Sequence, residues 1–181
     1  MNQQRPAPRQ YSFSGRVQRI LRHRWMDAAD TRRAVPPELL KRLEGYVNAS
    51  ETRHSGEVRI CVEAGLPNSY LWRNASARER AVTMFGKLRV WDTPHNNGVL
   101  IYLLLAEHAI EIVADRGLNR HVSTAQWQAM AGRMSAAFKA GQFEQGLTQA
   151  LQEVSALLVE YFPLAAGQVR GNDLPNRPDV R

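Results

Sequence analysis

The stretch HNNGVLIYLLLAEHAIEIVADRGLN, residues 95–119, decides the fold of this chain. It holds two apolar blocks, residues 99–106 and 109–114, which are separated only by Glu107 and His108. A break this short between extended segments permits only a tight antiparallel hairpin. Glu107 and His108 lack the Gly or Asn usual in such turns, so the turn could be slightly longer than two residues. Because the first block is apolar at nearly every position, both of its faces should be buried.

The patterns around the hairpin complete a fold prediction. Residues 58–63 alternate between apolar and other side chains and predict a strand. Helices are predicted to begin at Pro37, after the capping residues Ser76 and Ser123, and near Phe143. A right-handed crossover would make the first strand parallel to the second. The order predicts an α/β chain, a three-layer α/β/α sandwich with a small mixed sheet that includes the antiparallel hairpin.

Charge divides the 181 residues into a domain and its tails. Residues 1–35 hold eight of the 24 Lys and Arg but two of the 17 Asp and Glu, so +6 of the net charge of +7 precedes Pro36. We expect residues 1–35 to form a basic N-terminal arm, partly disordered with a short amphipathic helix. Residues 36–163 should form the domain, and residues 164–181 a disordered C-terminal tail. The nearly neutral domain lacks the basic face of a nucleic-acid reader, so nucleic acid is not an expected partner.

The arm contains the candidate membrane or partner surface. Val17, Ile20, Leu21 and Trp25 recur at helical spacing with basic residues between them. Such a helix can lie on an anionic membrane or dock to an unknown protein partner; alternatively, its apolar stripe packs onto the core of its own chain. The residues assigned to this surface are Arg16, Arg19, Ile20, Arg22, Arg24 and Trp25. Tyr70, Trp72 and Trp91 are aromatic residues near loops that could form a second partner patch or simply pack.

Several function classes are excluded by composition. The single cysteine, Cys61, leaves no disulfide framework and no multi-cysteine metal site. The longest apolar run, residues 99–106, is far below the roughly 20 residues of a membrane-spanning helix. No apolar segment follows the basic N-terminal residues, so a secretory signal is not predicted. The expected location is the cytoplasm, at most peripheral to the inner membrane.

Polar residues crowd the outer ends of the hairpin, and this edge is the candidate metal site. The loop before the first apolar block should lie beside Asp115, and His54 and Ser55 join the same edge if the first strand is a neighbour. Carboxylate and amide oxygens suit Ca²⁺, and an Asp/His mixture would suit Zn²⁺ or Mn²⁺. Turn chemistry alone, or another ligand, could equally account for these residues. Gly98 suits close backbone packing. The candidate ligands are Asp92, His95, Asn96, Asn97 and Asp115.

The segments SGEVRICVEAG, NNGVLIYLLL, AIEIVADRGLN and FKAGQFEQGLTQAL, in this order and spacing, resemble the TPM domain family over roughly residues 38–160. The resemblance rests most on Gly98-Val99-Leu100, on Gly117-Leu118 and on Phe143 with Gly146-Leu147. It implies an α/β/α sandwich. Most members are exported or membrane-tethered, whereas this chain is expected to lack both signal and anchor. Relatives include an acid phosphatase, calcium-binding proteins and accessory proteins without catalysis. This chain has Asn97 where many members have Asp, and Asp115-Arg116-Gly117-Leu118 where many read Gly-x-Gly-Leu.

These observations favour a non-catalytic interaction or accessory module of the TPM type, with the cytoplasmic face of the membrane as its candidate place of action. The alternative is a divalent-metal-dependent phosphatase, for which Ca²⁺ or another divalent cation is the candidate cofactor. A two-metal phosphatase needs several carboxylate and His ligands, and the predicted edge is short of them. Whether the chain is an enzyme is open; a binding role is the expectation.

Overall fold

The computed structural model describes residues 13–26, 28–164 and 174–181 of the chain. The predicted disorder of residues 1–12 and 165–173 concerns parts of the chain outside these ranges. The helices are α1 (Phe13–Trp25), α2 (Ala28–Ala34), α3 (Pro37–Glu51), α4 (Asn68–Trp72), α5 (Ala77–Lys87), α6 (Arg116–Asn119), α7 (Thr124–Lys139) and α8 (Phe143–Tyr161). The strands are β1 (Val58–Glu63), β2 (Val99–Leu104), β3 (Ala109–Ala114) and β4 (Asp179–Val180).

The four strands form one mixed sheet in the order β3-β2-β1-β4. β2 and β3 are antiparallel neighbours, with Val99 opposite Ala114 and Leu104 opposite Ala109. β1 runs parallel to β2, with Val58 beside Val99. The predicted hairpin and the predicted parallel pair are both confirmed.

Helices cover both faces of the sheet, and every residue of β2 is buried between them. Alternate residues of β2 belong to two separate core clusters, so neither face of the strand can meet water. On one face, the strands pack against α3, α7 and α8. On the other, they pack against α4 and α5. The predicted three-layer α/β/α architecture is therefore confirmed.

Helix starts follow the capping patterns in the sequence. The Ser76 side chain accepts a hydrogen bond from the Glu79 backbone N–H, and the Glu79 carboxylate accepts one from the Ser76 N–H. Ser123 and Gln126 form the same reciprocal pair at α7. Each box satisfies two backbone N–H groups that the first helical turn leaves without partners.

The turn of the hairpin is longer than the two residues predicted. β2 ends at Leu104, two residues before the predicted end, and residues 105–107 form a single turn of 3-10 helix. His108 then adopts a left-handed conformation with φ of 47°. The extra turn reverses the chain without the Gly or Asn that a two-residue hairpin needs. It also directs Glu107 away from the strands.

The C-terminal residues contribute a strand where the sequence indicated a disordered tail. Asp179 and Val180 lie parallel to Cys61 and Val62 and cover part of the outer edge of β1. Leu174 is buried in the core on the α5 side. This anchor and the backbone hydrogen bonds of Arg181 to Val62 and Ala64 hold residues 174–181 against the sheet.

Gly98 precedes β2 at a point where two backbones meet. A Cβ atom built there would lie 1.9 Å from the Val90 carbonyl oxygen, so only glycine fits without displacing the chain. This contact confirms the expectation that Gly98 serves close packing. We expect Gly98→Ala to lower the free energy of unfolding by about 1–3 kcal/mol, the usual cost of overpacking, measured from urea unfolding.

The matched control is Gly132→Ala in the middle of α7, where nothing lies within 4 Å of the added Cβ. Alanine in a helix interior is favoured over glycine by roughly 0.5–1 kcal/mol, so this variant should be stabilised. Effects of the same sign in the two variants would contradict the assignment of Gly98 to a backbone contact.

Candidate functional site

α1 docks onto the domain through its polar side. Arg19 is only 7% exposed, and its Nε donates to Glu107 Oε1 over 2.7 Å. Its two remaining nitrogens donate to Asn74 Oδ1 over 3.0 Å and to the Ala75 carbonyl over 2.7 Å. A buried guanidinium is stable only when its charge and its donors are matched in this way.

His23, one turn further along α1, completes the cluster. Its ring is fully buried, and Nδ1 accepts the Leu66 backbone N–H over 3.0 Å. The ring proton must then sit on Nε2, which lies 3.1 Å from Glu107 Oε1 and donates to it. One carboxylate in the hairpin turn therefore holds two side chains of α1. We call Arg19, His23 and Glu107 the Glu107 cluster.

The Glu107 carboxylate is electrostatically matched to this environment. Burial alone would raise its pKa, but the hydrogen bond from His23 and the charge and hydrogen bond of Arg19 outweigh burial. The pKa of Glu107 therefore lies below its usual range, and the carboxylate stays ionised at neutral pH.

The outer side of α1 is apolar and basic. Trp25 is 78% exposed, and Trp72 of the neighbouring α4 is 73% exposed. Val17 and Leu21 are also exposed and lie about two turns and one turn before Trp25, respectively. Val17, Leu21, Trp25 and Trp72, with the exposed Arg16, Arg22 and Arg24, form what we call the tryptophan surface.

Four of the six residues that the sequence assigned to the arm surface are exposed, and two are not. Arg16, Arg22, Arg24 and Trp25 are exposed, whereas Ile20 is partly buried and packs against the core. Arg19 is not on the surface, because its charge is matched inside the Glu107 cluster. The apolar stripe thus mostly faces outward while the helix itself is docked, an arrangement that neither predicted alternative described.

A groove lies between α1 and α4. It encloses about 500 Å³ and is lined by Ile20, Leu21, Arg24, Trp25, Asn68, Leu71 and Trp72. The Arg16 guanidinium donates to the Trp72 carbonyl over 2.9 Å and ties the two helices together beside it. The groove is therefore apolar in its lining and basic at its rim.

The polar edge at the opposite end of the sheet assembles as the sequence predicts. The Gly117 N–H donates to the Asn96 carbonyl over 2.8 Å, and the Asp115 N–H donates to the Gly98 carbonyl over 2.9 Å. Asn97 is fully buried, and its Nδ2 donates to Ser55 Oγ over 3.3 Å. Three segments of the chain therefore meet at this edge.

The predicted ligands at this edge do not converge as a set. Asp92 and His95 are exposed, and Asn96 adopts a left-handed φ of 52° in its turn. Asp115 caps α6 by accepting the Arg116 N–H. Two buried oxygens, Asn97 Oδ1 and Asp115 Oδ2, have no hydrogen-bond partner. Within residues 13–26, 28–164 and 174–181, no three His, Cys, Asp or Glu side chains group to hold a metal ion.

The donors at the polar edge therefore do not fit a complete metal centre. Ca²⁺ takes six to eight oxygen ligands, and a two-metal phosphatase site needs several carboxylates. Two buried side-chain oxygens would leave most of the coordination shell to water and to backbone carbonyls.

Two further buried polar clusters have structural roles. Arg80 donates to both carboxylate oxygens of Glu63, and the Tyr102 hydroxyl donates to the same carboxylate over 2.7 Å. His54 is fully buried and bonds Ser50 Oγ over 2.7 Å, joining α3 to the loop before β1. Burial raises the pKa of the nearby Cys61 thiol to about 12, so this cysteine stays protonated and unreactive.

Sequence reasoning missed Glu107 and His23 as the residues that position α1. The available signal was Glu107 itself, a charged residue in a turn that normally requires Gly or Asn. Its partners on α1 lie more than 80 positions earlier in the chain, so no local pattern connects them.

We expect Glu107→Gln to loosen α1 at pH 7, because Arg19 stays buried but loses its counter-charge. The free energy of α1 docking should fall by about 1–3 kcal/mol, measured by hydrogen exchange of the α1 amides. The pKa of Glu107 is lower in the folded state than in the unfolded state. The stabilisation of α1 by the Glu107 carboxylate is therefore fully present above the unfolded pKa of about 4.3, and it is lost as pH falls through the folded pKa. Wild type and variant should therefore converge only at pH values below the folded pKa of Glu107.

The control for this variant is Glu144→Gln, which breaks the ion pair with Arg42 over 2.9 Å at the surface. Both of these side chains are about half exposed, so solvent screening should keep the change below about 1 kcal/mol. Equal effects of the two substitutions would show that Glu107 acts as an ordinary surface charge.

At the polar edge, we expect any Ca²⁺ to bind with a Kd of about 1 mM or weaker, because few charged ligands are available. The measurement is an NMR titration that follows the amides of Asp92, Asn97 and Asp115. Asp115→Asn, which keeps the cap of α6, should abolish any residual shift. Saturable shifts of the three amides at micromolar Ca²⁺ would overturn this expectation.

Comparison with known proteins places the fold. The NMR structure of the BA42 protein from the psychrophilic bacterium Bizionia argentinensis is 27% identical, with a TM-score of 0.69. The match covers 81% of this chain and 95% of that one. The N-terminal domain of a protein from P. gingivalis shares the fold at 16% identity and a TM-score of 0.57, over 71% of this chain and 81% of its own.

No curated protein matches the chain significantly. The family model described as TPM domain matches residues 29–157, which is well over half of the sequence. The match includes both strands of the hairpin, β1 and most of α8, and it begins just after α1. The chain therefore belongs to the TPM domain family.

Proposed function

We propose that this protein is a non-catalytic interaction module of the TPM type that acts at an anionic membrane surface. The observation that carries the proposal is the orientation of α1. Its buried side holds Arg19 and His23, whereas Val17, Leu21 and Trp25 are exposed; a helix that packs only on its own core buries its apolar stripe. An exposed apolar surface with a basic rim is typical of a protein or membrane contact.

The side chains of the tryptophan surface suit a membrane interface. Indole rings are enriched at the boundary between lipid and water, where one edge is apolar and the other wet. Trp25 and Trp72 are both far more exposed than tryptophan normally is. α1 contains three exposed arginines and no acidic residue, so its outer face has one sign of charge.

The energies involved make the contact measurable. Each Lys or Arg near an anionic leaflet contributes about 1 kcal/mol, screened over a Debye length of about 8 Å at physiological salt. Three exposed arginines could therefore contribute on the order of 3 kcal/mol, or roughly 100-fold in affinity. Insertion of the exposed apolar side chains would add to this and would be less sensitive to salt.

We place this contact at the cytoplasmic face of the membrane, the leaflet in which anionic lipids create a negative surface potential. Within the described ranges, no helix combines the length and the apolarity needed to cross a bilayer. Attachment would therefore be peripheral, through α1 and the basic residues of the arm. The phosphatase alternative rests on the family resemblance alone, because within the described residues no three His, Cys, Asp or Glu side chains group to hold the metal ions that such chemistry requires.

The test of this proposal is co-sedimentation with vesicles that contain a phosphatidylglycerol fraction. We expect the triple variant Arg16→Gln, Arg22→Gln, Arg24→Gln to bind these vesicles at least tenfold more weakly than the wild type at low salt, because three charges leave the contact face. The difference should shrink as salt rises. A chain that starts at Val35 should also bind more weakly than the full chain.

The matched control replaces Lys87, Arg120 and Lys139 by Gln. These residues are exposed and lie on other elements, and the net charge falls by the same amount. The control should bind vesicles nearly as well as the wild type. Equal losses in both triple variants would indicate nonspecific attraction by net charge, and unchanged binding of the α1 variant would refute the proposed surface.

A further inference from the structure

We propose that the groove between α1 and α4 binds one anionic phospholipid molecule, with an acyl chain along its apolar lining and the phosphate at Arg24. This inference rests on the proposed membrane function and makes it specific. It assigns a ligand site to a surface that would otherwise only adsorb to the bilayer.

The lining of the groove favours an amphiphile. Ile20, Leu21 and Leu71 present aliphatic surface, and Trp25 and Trp72 add two aromatic rings. The volume of about 500 Å³ lies within the range of small-molecule sites. An acyl segment would remove this apolar surface from water, at roughly 25 cal/mol for each Å² buried.

The polar groups of the groove favour a negative charge on that amphiphile. Arg24 and Asn68 are the polar residues of the lining, and both are exposed. No acidic side chain lines the groove in the described part of the chain. A guanidinium can form two parallel hydrogen bonds with a phosphate, and an amide can donate one more.

The position of the groove favours a lipid over a peptide. Leu21 and Trp25 belong both to the groove and to the exposed apolar line of α1 that begins at Val17. A lipid could therefore pass sideways from the bilayer into the groove without crossing water. An acidic amphipathic helix would need a longer apolar trough, because its anchor residues recur at every turn.

The experiment is an NMR titration of the full chain with dihexanoyl phosphatidylglycerol below its critical micelle concentration, so that no bilayer or micelle is present. We expect saturable shifts of the indole N–H signals of Trp25 and Trp72. Dihexanoyl phosphatidylcholine should bind more weakly, because its headgroup carries no net charge. Inorganic phosphate at the same concentration should cause no saturable shift, because it lacks the acyl chain.

Two single variants on the same helix distinguish the groove from the surface around it. Arg24→Gln removes the charge at the groove and should weaken monomeric lipid binding about fivefold. Arg22→Gln removes an exposed charge that does not line the groove, so monomer affinity should stay unchanged while vesicle binding falls. Equal effects of both variants on monomer affinity would overturn the assignment of the phosphate to Arg24.

Two outcomes separate this inference from the proposed function. Binding to anionic vesicles without saturable binding of monomeric lipid would overturn the groove site and leave a surface contact. Saturable binding of an acidic helical peptide, with no response to monomeric lipid, would overturn the lipid as the occupant and assign the groove to a protein partner. Absence of both vesicle and monomer binding would refute the groove site and the membrane function together.

Discussion

All six residues of β2 are buried, and this single constraint organises the fold. A strand with no polar face must be covered on both sides, so helices pack on each face of the sheet. A buried strand must also be paired along both edges, which β1 and β3 provide. The candidate surfaces therefore lie outside the closed middle of the sheet, one on α1 and α4 and the other at the polar edge before β2.

The fold is readable from the sequence because its signals are local. The apolar run at residues 99–106, the short break after it and the two capping boxes each lie within a few residues. They predict the layers, the antiparallel hairpin and the starts of α5 and α7. The missing Gly or Asn indicated a longer turn but not its 3-10 form. β4 was not predictable in this way, because it depends on an edge of β1 that only the folded sheet presents.

The candidate surface was only partly predictable for a related reason. Helical spacing identifies α1 and the apolar and basic residues along it, but spacing cannot say which side of the helix faces the domain. That choice is made by Glu107, which matches the charge of Arg19 and fixes the ring of His23. At the polar edge, the convergence of the segments follows from strand directions, whereas the dispersal of the predicted ligands depends on loop conformations such as the left-handed Asn96.

The short strand β4 has a consequence for the order in which the molecule folds and opens. It pairs Asp179 with Cys61, far earlier in the chain, so forming this contact closes a long loop at a high cost in chain entropy. The buried Leu174, the backbone hydrogen bonds of Arg181 and a hydrogen bond from Arg59 to the Arg177 carbonyl hold this segment, but β4 adds just two paired residues, whereas β2 and β3 share a full ladder. β4 should therefore form last and exchange first, as a separate low-stability unit at the edge of the sheet. Whenever β4 detaches, the backbone N–H and C=O groups along the outer edge of β1 should become free to pair with other extended segments.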